Sequence, residues 1–331
     1  MESSRNTRNA ILVGLALALA IAAPLLLKAR FQQHVLVLIV LYAILAQAWN
    51  IMAGYAGMVS IGQAAFFGIG AYVSTVLFVQ YKVNPWLGFI AAGLVTALFA
   101  TIIGLPFSRL RGRYFAIGTI ALAQMIKVVF ENWPKVGGAT GIIIDMKKES
   151  FLNFQFHSSK LGYYYIALGM LVAVVAFMYF MERSKMGFYF KAIRENEEVA
   201  TGLGVNKTAY KLMAIAISAG ITGMCGTILA QYQLYVEPAF VFDHSVSVTI
   251  ALVAVFGGSG NILGPLLGAL ILMPISELTR AWLGSGGTGV DLMIYGAFIV
   301  LICIYEPDGL VGIANKAGRR LKARRERGLA A

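Results

Sequence analysis

Charge is scarce along this chain. Asp, Glu, Lys and Arg make up 13% of its 331 residues, against about 25% in ordinary soluble domains. That deficit excludes a water-facing surface around the whole molecule. Histidine and cysteine are rarer still, at three and two residues. His34, His157 and His244 are scattered, with no His-x-x-x-His pair and no carboxylate cluster, so no metal site is expected. Cys225 and Cys303 both fall inside apolar runs, which predicts two buried free thiols and no disulfide. There is no Gly-x-Ser-x-Gly elbow and no Ser-x-x-Lys dyad. The nearest approach to a P-loop, Gly202-Leu-Gly-Val-Asn-Lys-Thr208, lacks the glycine that must precede the lysine. Gly258-Ser-Gly260 matches part of a dinucleotide loop, but no strand precedes it. No catalytic residue is expected, no cofactor is expected to bind this chain, and any ATP chemistry must come from another chain.

What the chain has instead is apolar length. Hydrophobic residues reach 59%, above the 45–50% or so of soluble domains. Runs near the ~20-residue bilayer span recur at 10–27, 34–80, 86–108, 114–131, 162–181, 211–232, 245–279 and 290–305. Two of these exceed one helix. Run 34–80 is interrupted by "GYAGMVSIGQAAFFGIG" (54–70), and run 245–279 by "FGGSGNILGP" (256–265). Each reads as two full spans or as a re-entrant pair. The expected fold is all-α: a polytopic inner-membrane bundle of eight to ten membrane segments with Gly-broken helices, in a single transmembrane domain over 1–331. Helices are expected because they satisfy their own backbone hydrogen bonds in lipid. Segment 10–27 follows Arg5 and Arg8 and lacks a clear small-residue cleavage pattern, so it reads as the first span.

Basic residues set an orientation. With both termini cytoplasmic, pieces 1–9, 109–113, 182–211 and the tail 306–331 carry two, three, six and seven Lys and Arg, 18 of the chain's 27. This is the positive-inside bias. The outer loop 132–161 runs against it with Lys135, Lys147, Lys148 and Lys160, but its length weakens the rule there. The net charge of +12 then calls for no nucleic-acid partner. A basic tail such as "KAGRRLKARRERG" fits anionic inner-leaflet lipid.

The glycine interruptions form a pair. Gly54-x-x-Gly57 is followed by Gly62 and Gly68, and Gly257-x-x-Gly260 by Gly264 and Gly268. Paired Gly-interrupted segments are the best sequence pointer to a transporter's solute path. A helix can unwind at such glycines and present backbone groups to a polar solute. The candidate lining is Asn50, Gly54, Tyr55, Gly57, Ser60, Gly62, Gln63, Gly257, Gly258, Gly260 and Asn261. The competing reading is close helix packing, with Gln63 hydrogen-bonded to a neighbour. A lining of backbone, Gly, Ser, Asn, Gln and Tyr suits a zwitterionic or small polar solute. The charges Lys127, Glu131, Glu277 and Arg280 sit near segment ends, where snorkelling explains them.

One polar stretch stands out. Residues 184–208 mix charge with helix formers and end in Gly202 and Gly204, which predicts one or two short helices on the cytoplasmic face. Phe188, Phe190, Ile193, Val199 and Leu203 give that region apolar surface to bury on the protein's own helices or on a soluble subunit.

The stretch "AIRENEEVATGLGVN" is similar to the coupling loop of ABC-transporter permeases of the branched-chain amino acid type, LivM branch. Also similar, in the family's order, are "NIMAGYAGMVSIGQAAFFGIGAY" (50–72), "LRGRYFAIGTIALAQM" (110–125), "GGATGI" (137–142), "FGGSGNILGPLLGA" (256–269) and "PDGLVG" (307–312). The resemblance covers roughly 34–312. It implies a permease subunit in the bacterial inner membrane, working with a second, LivH-like permease, two cytoplasmic P-loop ATPases that use ATP, and an extracytoplasmic solute-binding protein. By the same resemblance Arg194, Glu195, Asn196, Glu198 and Gly204, in the coupling loop 182–211, contact the ATPases. The general motif Glu-Ala-Ala-x-x-x-Gly is matched at 198–204 except at Val199, and the proline that often follows is missing, since none lies between Arg183 and Pro238. The implied solutes are leucine, isoleucine and valine, with urea, amides or aromatic acids as the alternative for the same assembly. A stand-alone secondary transporter of a small polar solute would need a mid-membrane coupling acid, and none is evident.

Overall fold

The computed structural model describes residues 18–24, 27, 29–110, 112–146, 149–156, 159–283, 296–297, 309–312 and 316. Most of the expected runs 290–305 and 10–27, the basic tail beyond 316, Cys303, His157, Lys147 and Lys148 lie outside the described residues. Within them the chain is an all-α bundle. Seven helices are long and apolar enough to cross a bilayer, and Gln63–Val79 is a shorter apolar helix.

Both long runs resolve into helix pairs. The first is α1 (Arg30–Asn50), continued by a π-turn (Ile51–Tyr55), then α2 (Gln63–Val79). The second is α10 (His244–Gly257) and α11 (Leu263–Leu283). Between them run α3 (Pro85–Phe107), α4 (Arg113–Glu131), α5 (Leu161–Arg183), the short α6 (Lys185–Glu195) and α7 (Glu197–Gly202), α8 (Lys207–Gln233), and one turn, α9 (Pro238–Val241). The starts are set by side chains that take up orphan amides at helix N-termini. Asn84 caps α3 with Pro85 in its first turn, Asn196 caps α7, Asn206 caps α8 and Asp243 caps α10.

Chain reversals define two ends. One end holds the breaks and the α6–α7 connection. At the far end Gln80 Nε2 donates to the Lys135 carbonyl at 2.8 Å, and Trp86 Nε1 to that of Phe151 at 2.8 Å. There too β1 (Ile142–Ile143) pairs antiparallel with β2 (Tyr235–Val236), Ile142 opposite Val236. Trp86 stacks on Phe154 with centroids 4.7 Å apart. Lys160, just before α5, lies 5.3 Å from the Tyr232 ring centroid, and burial together with nearby Arg30 holds its pKa below the ordinary lysine value.

Burial sorts the helices into inner and outer. α2 is buried on nearly every side, the signature of a helix surrounded by others. α3, α4 and α5 expose Leu94, Leu98, Ile117, Met125 and Phe180, the apolar outside expected where the solvent is lipid. The inner helices approach one another through small residues, as is usual between membrane helices. A Cβ on Gly226 of α8 would run into the Phe67 carbonyl and lie 3.0 Å from the Ala71 amide of α2, whereas Gly169 of α5 has nothing within 4 Å. Gly226→Ala is therefore expected to lower stability by about 1–3 kcal/mol through overpacking. Gly169→Ala should raise it by up to about 1 kcal/mol through helix propensity. Thermal unfolding of the purified protein in detergent reads both, and equal shifts would refute this packing account.

Candidate functional site

The two breaks touch. α1 ends in a π-turn, where residues Ile51–Tyr55 are all buried. Asn50, wholly buried, reaches across with both ends of its side chain. Its Oδ1 accepts from the Gly260 amide at 2.8 Å, and its Nδ2 donates to the Asn261 carbonyl at 2.8 Å. One turn earlier Gln47 Nε2 donates to the Ile262 carbonyl at 2.5 Å. Asn261 in turn accepts from the Gly264 amide at 2.7 Å and donates to the Gly258 carbonyl at 3.1 Å. Polar side chains at the end of α1 thus hold the unwound backbone of the second break against the start of the first. Gly309, within the "PDGLVG" stretch, closes on the same place: a Cβ there would lie 2.7 Å from the Gly258 amide.

The first break then climbs back into the bundle. Trp49 Nε1 donates to the Ser60 carbonyl at 2.7 Å, laying the loop alongside the end of α1. α2 begins inside, where its exposed amides would be costly without partners. Hydroxyls supply them. Thr119 Oγ1 of α4 accepts from the Ile61 amide at 3.1 Å, Ser60 Oγ from Gly62 at 3.2 Å, and Ser247 Oγ of α10 from Ala64 at 2.8 Å. Ser247 lies ten residues from Gly257 along α10, so α2 starts roughly 15 Å along that helix from the second break. Gln63 Nε2 donates to Ser218 Oγ at 2.9 Å and Thr222 Oγ1 at 2.8 Å, a pair one turn apart on α8.

The glycines divide by task. Gly57 and Gly260 have φ of +73° and +85°, a backbone state that side chains resist. Gly62, Gly257, Gly264 and Gly268 instead sit where a Cβ would strike the backbone of Thr119, Gly264, Gly258 and Val253, so they permit close approach. Tyr55 is buried, and its hydroxyl lies 3.4 Å from Glu182 Oε2 at the end of α5. Asn50, Gly54, Tyr55, Gly57, Gly257, Gly258, Gly260 and Asn261 thus lie in or beside one joint at the α6–α7 end, whereas Ser60, Gly62 and Gln63 form the buried start of α2 deeper along α10; the side chains of Asn50, Ser60 and Gln63 hydrogen-bond the protein itself. A well-formed concavity lies elsewhere. It is a groove of about 980 Å³ between α3, α5 and α8, lined by Trp86, Phe89, Tyr165, Met170 and Phe177 among others. Such an apolar wall offers nothing to a zwitterion's charges.

The connection between α5 and α8 is two helices joined at Asn196. Asn196 Oδ1 accepts from the amides of Glu198 and Val199 at 3.0 and 3.1 Å, so this side chain is committed to starting α7. Phe190 and Ile193 are buried against the bundle, while Phe188, Val199 and Leu203 stay exposed, at 70%, 59% and 81%. Buried Lys211 of α8 pairs with Glu197 of α7. Glu195 is exposed and lies 3.8 Å from Arg194 Nε. Gly204, at φ +88°, ends the element. Arg194 keeps 44% of its side chain exposed, yet its Nη1 donates to the Gly54 carbonyl at 2.7 Å.

Residues 32–303 match the profile of a family described as the permease component of branched-chain amino acid transport systems. That match spans most of the chain. This chain belongs to that family. Among curated proteins it is similar to the high-affinity branched-chain amino acid transport system permease protein LivM of Salmonella typhimurium, 28% identical over 318 residues that cover 89% of this chain and 73% of the relative. LivM of Escherichia coli K12 is 28% identical, covering 94% of this chain and 76% of that one. LivH of the same strain is 25% identical over 82% of this chain and 91% of its own. No solved structure matches significantly. The chain is thus a multi-pass membrane permease subunit of an ABC importer.

Sequence reasoning picked out the permease's glycine breaks but missed what fastens them. Thr119, Ser218, Thr222 and Ser247 look like ordinary polar interruptions of apolar runs. Ser218 and Thr222, four apart on one helical face, carried the clearest signal. Asn50→Ala would strand the Gly260 amide and the Asn261 carbonyl, at about 1–3 kcal/mol for each buried group left unpaired. A fall of that size in the denaturation midpoint of the purified permease is expected. A shift below about 0.5 kcal/mol, the range of inert surface changes, would contradict the joint.

Proposed function

We propose that this permease, paired with a second LivH-like permease, forms the membrane path of an ATP-driven importer for branched-chain or related hydrophobic amino acids. Two cytoplasmic P-loop ATPases hydrolyse the ATP, and an extracytoplasmic binding protein delivers the solute; no cofactor binds this chain. The observation that carries the reading is the α6–α7 element. It presents Phe188, Val199 and Leu203 outward and fastens inward to the joint of the two broken helices. The solute class rests on the relatives named for branched-chain amino acid transport.

The α6–α7 end is cytoplasmic in this proposal. Support comes from Arg109, Arg113, Arg183, Lys185, Lys191, Arg194, Lys207 and Lys211, all in or next to the reversals at that end, as the positive-inside bias requires. The ATPases seat on Val199 and Leu203, beside Glu195, Glu198 and Gly204. Anionic inner-leaflet lipid meets the basic tail 306–331. ATP drives the cycle through its different affinity for two states of the assembly, and the joint near Asn50, Gly54, Gly57, Gly260 and Asn261 opens the path to one side or the other.

Affinity purification of the tagged permease from its native membrane, followed by reconstitution into vesicles with the binding protein, tests this directly. The expected result is co-purification of a second permease and P-loop ATPases, with ATP-dependent uptake of leucine. Recovery of the chain alone, under conditions that hold a known ABC complex together, would overturn the assembly. Uptake of urea, amides or aromatic acids in place of leucine would overturn the solute. Leu203→Asp, placed at an 81% exposed apolar position, should release the ATPases while leaving the permease in the membrane, with uptake at least tenfold lower. Retention of the ATPases in that variant would remove Leu203 from the contact.

A further inference from the structure

Arg194 lies on the face that the family resemblance assigns to the ATPases, yet its contacts point the other way. Its Nη1 donates to the Gly54 carbonyl at 2.7 Å, in the π-turn that ends α1. Its Cα lies 3.2 Å from where a Cβ on Gly57 would sit, and its Nη1 2.6 Å from where one on Gly260 would sit. A single residue therefore abuts both breaks, and the missing side chains at Gly57 and Gly260 are the space it occupies. One turn earlier on α6, Lys191 Nζ donates to Glu182 Oε1 at 2.7 Å and lies 5.5 Å from the centroid of the Tyr55 ring, so the helix holds the first break at a second point.

α7 is fastened elsewhere. Glu197 pairs with buried Lys211 of α8, and the two short helices meet at Asn196, whose backbone is extended (φ −159°, ψ 108°). α6 thus touches the broken helices through Arg194 and Lys191 and also packs on α8, where its Tyr189 ring centroid lies 4.9 Å from that of Tyr210, whereas α7 is tied to α8 through Glu197, with one non-helical residue between the two short helices. A guanidinium suits such a position because its charge is permanent and its donors are held in a rigid fork. A cation on a helix's last carbonyls also agrees with the sign of the helix dipole.

We propose that Arg194 is a positioning residue, a strut that carries displacement of the α6–α7 element to the joint of the two broken helices, and not an ATPase contact. The proposal rests on the importer reading above. It assigns Val199 and Leu203 to holding the ATPases and Arg194 to what their movement does inside the membrane.

The test is the ratio of leucine taken up to ATP hydrolysed by the whole assembly in vesicles, read together with the ATPases that co-purify. Arg194→Ala is expected to keep the ATPases bound and hydrolysing while the coupling ratio falls at least tenfold. Arg194→Lys, which restores a cationic donor towards Gly54 without the fork, should recover part of the ratio. Loss of the ATPases from Arg194→Ala would make Arg194 a partner contact and overturn the strut. An unchanged ratio would make the Gly54 hydrogen bond idle and overturn it as well. Should Arg194→Ala not reach the membrane, Arg194→Lys decides alone: a lowered ratio with ATPases bound supports the strut, and a wild-type ratio overturns it. If the unsubstituted chain itself recovers no ATPases, the importer reading has failed before the strut is examined.

Discussion

A peptide group left unpaired in hydrocarbon costs several kcal/mol, roughly as much as a good fraction of a membrane protein's net stability. Two helices of this permease are nevertheless unwound inside the bundle, and the arrangement around them follows from that cost. Asn50, the last residue of α1 before the first break, serves the second break twice, because a carboxamide carries a donor and an acceptor on one side chain. It finds an amide at Gly260 and a carbonyl at Asn261. The buried start of α2 is met by Ser60, Thr119 and Ser247, three hydroxyls from three parts of the chain. Each partner fixes where its own helix can sit, so satisfying the breaks also sets the positions of α4 and α10.

The same constraint links the membrane-crossing helices to the short α6–α7 element. The Gly54 carbonyl lies in the π-turn that ends α1, and its partner comes from the short helix α6, which lies outside the membrane-crossing set. A hydrogen-bond requirement of the broken helix is thereby met by the element whose other face exposes apolar residues. Function follows from this double attachment. Under the importer proposal, a protein that moves α6 acts through Arg194 on the Gly54 carbonyl of the first break and on the space beside Gly260 of the second.

Much of this was legible in the sequence. Apolar runs gave the helices, and the glycine clusters correctly divided 34–80 and 245–279, although only the structure shows that the first division leaves α2 starting inside the bundle. The polar stretch 184–208 was readable as one or two short helices from its helix formers and terminal glycines, and the structure makes it two, capped by Ser184 and Asn196. What sequence could not reveal was the meeting of the two breaks, since residues 50 and 260 are joined by tertiary contacts that periodicity does not encode. Arg194 was equally opaque: a charge on a polar loop reads as solvated, and only the approach of Gly57 and Gly260 shows the space that its partly exposed side chain uses to reach the Gly54 carbonyl. Gly309 belongs here too, for a glycine after the last apolar run gives no hint that it packs on Gly258.

The central claim is that α6 and the joined breaks move as one body. Spin labels placed through Lys185→Cys on α6 and Ser259→Cys in the second break, both exposed positions, report on it by double electron–electron resonance in the reconstituted assembly. The account predicts one unchanged distance within the permease with and without ATP, while distances from either label to the partner permease shift. A distance between these two labels that changes with ATP would show that the helix slides past the breaks, and would contradict the account.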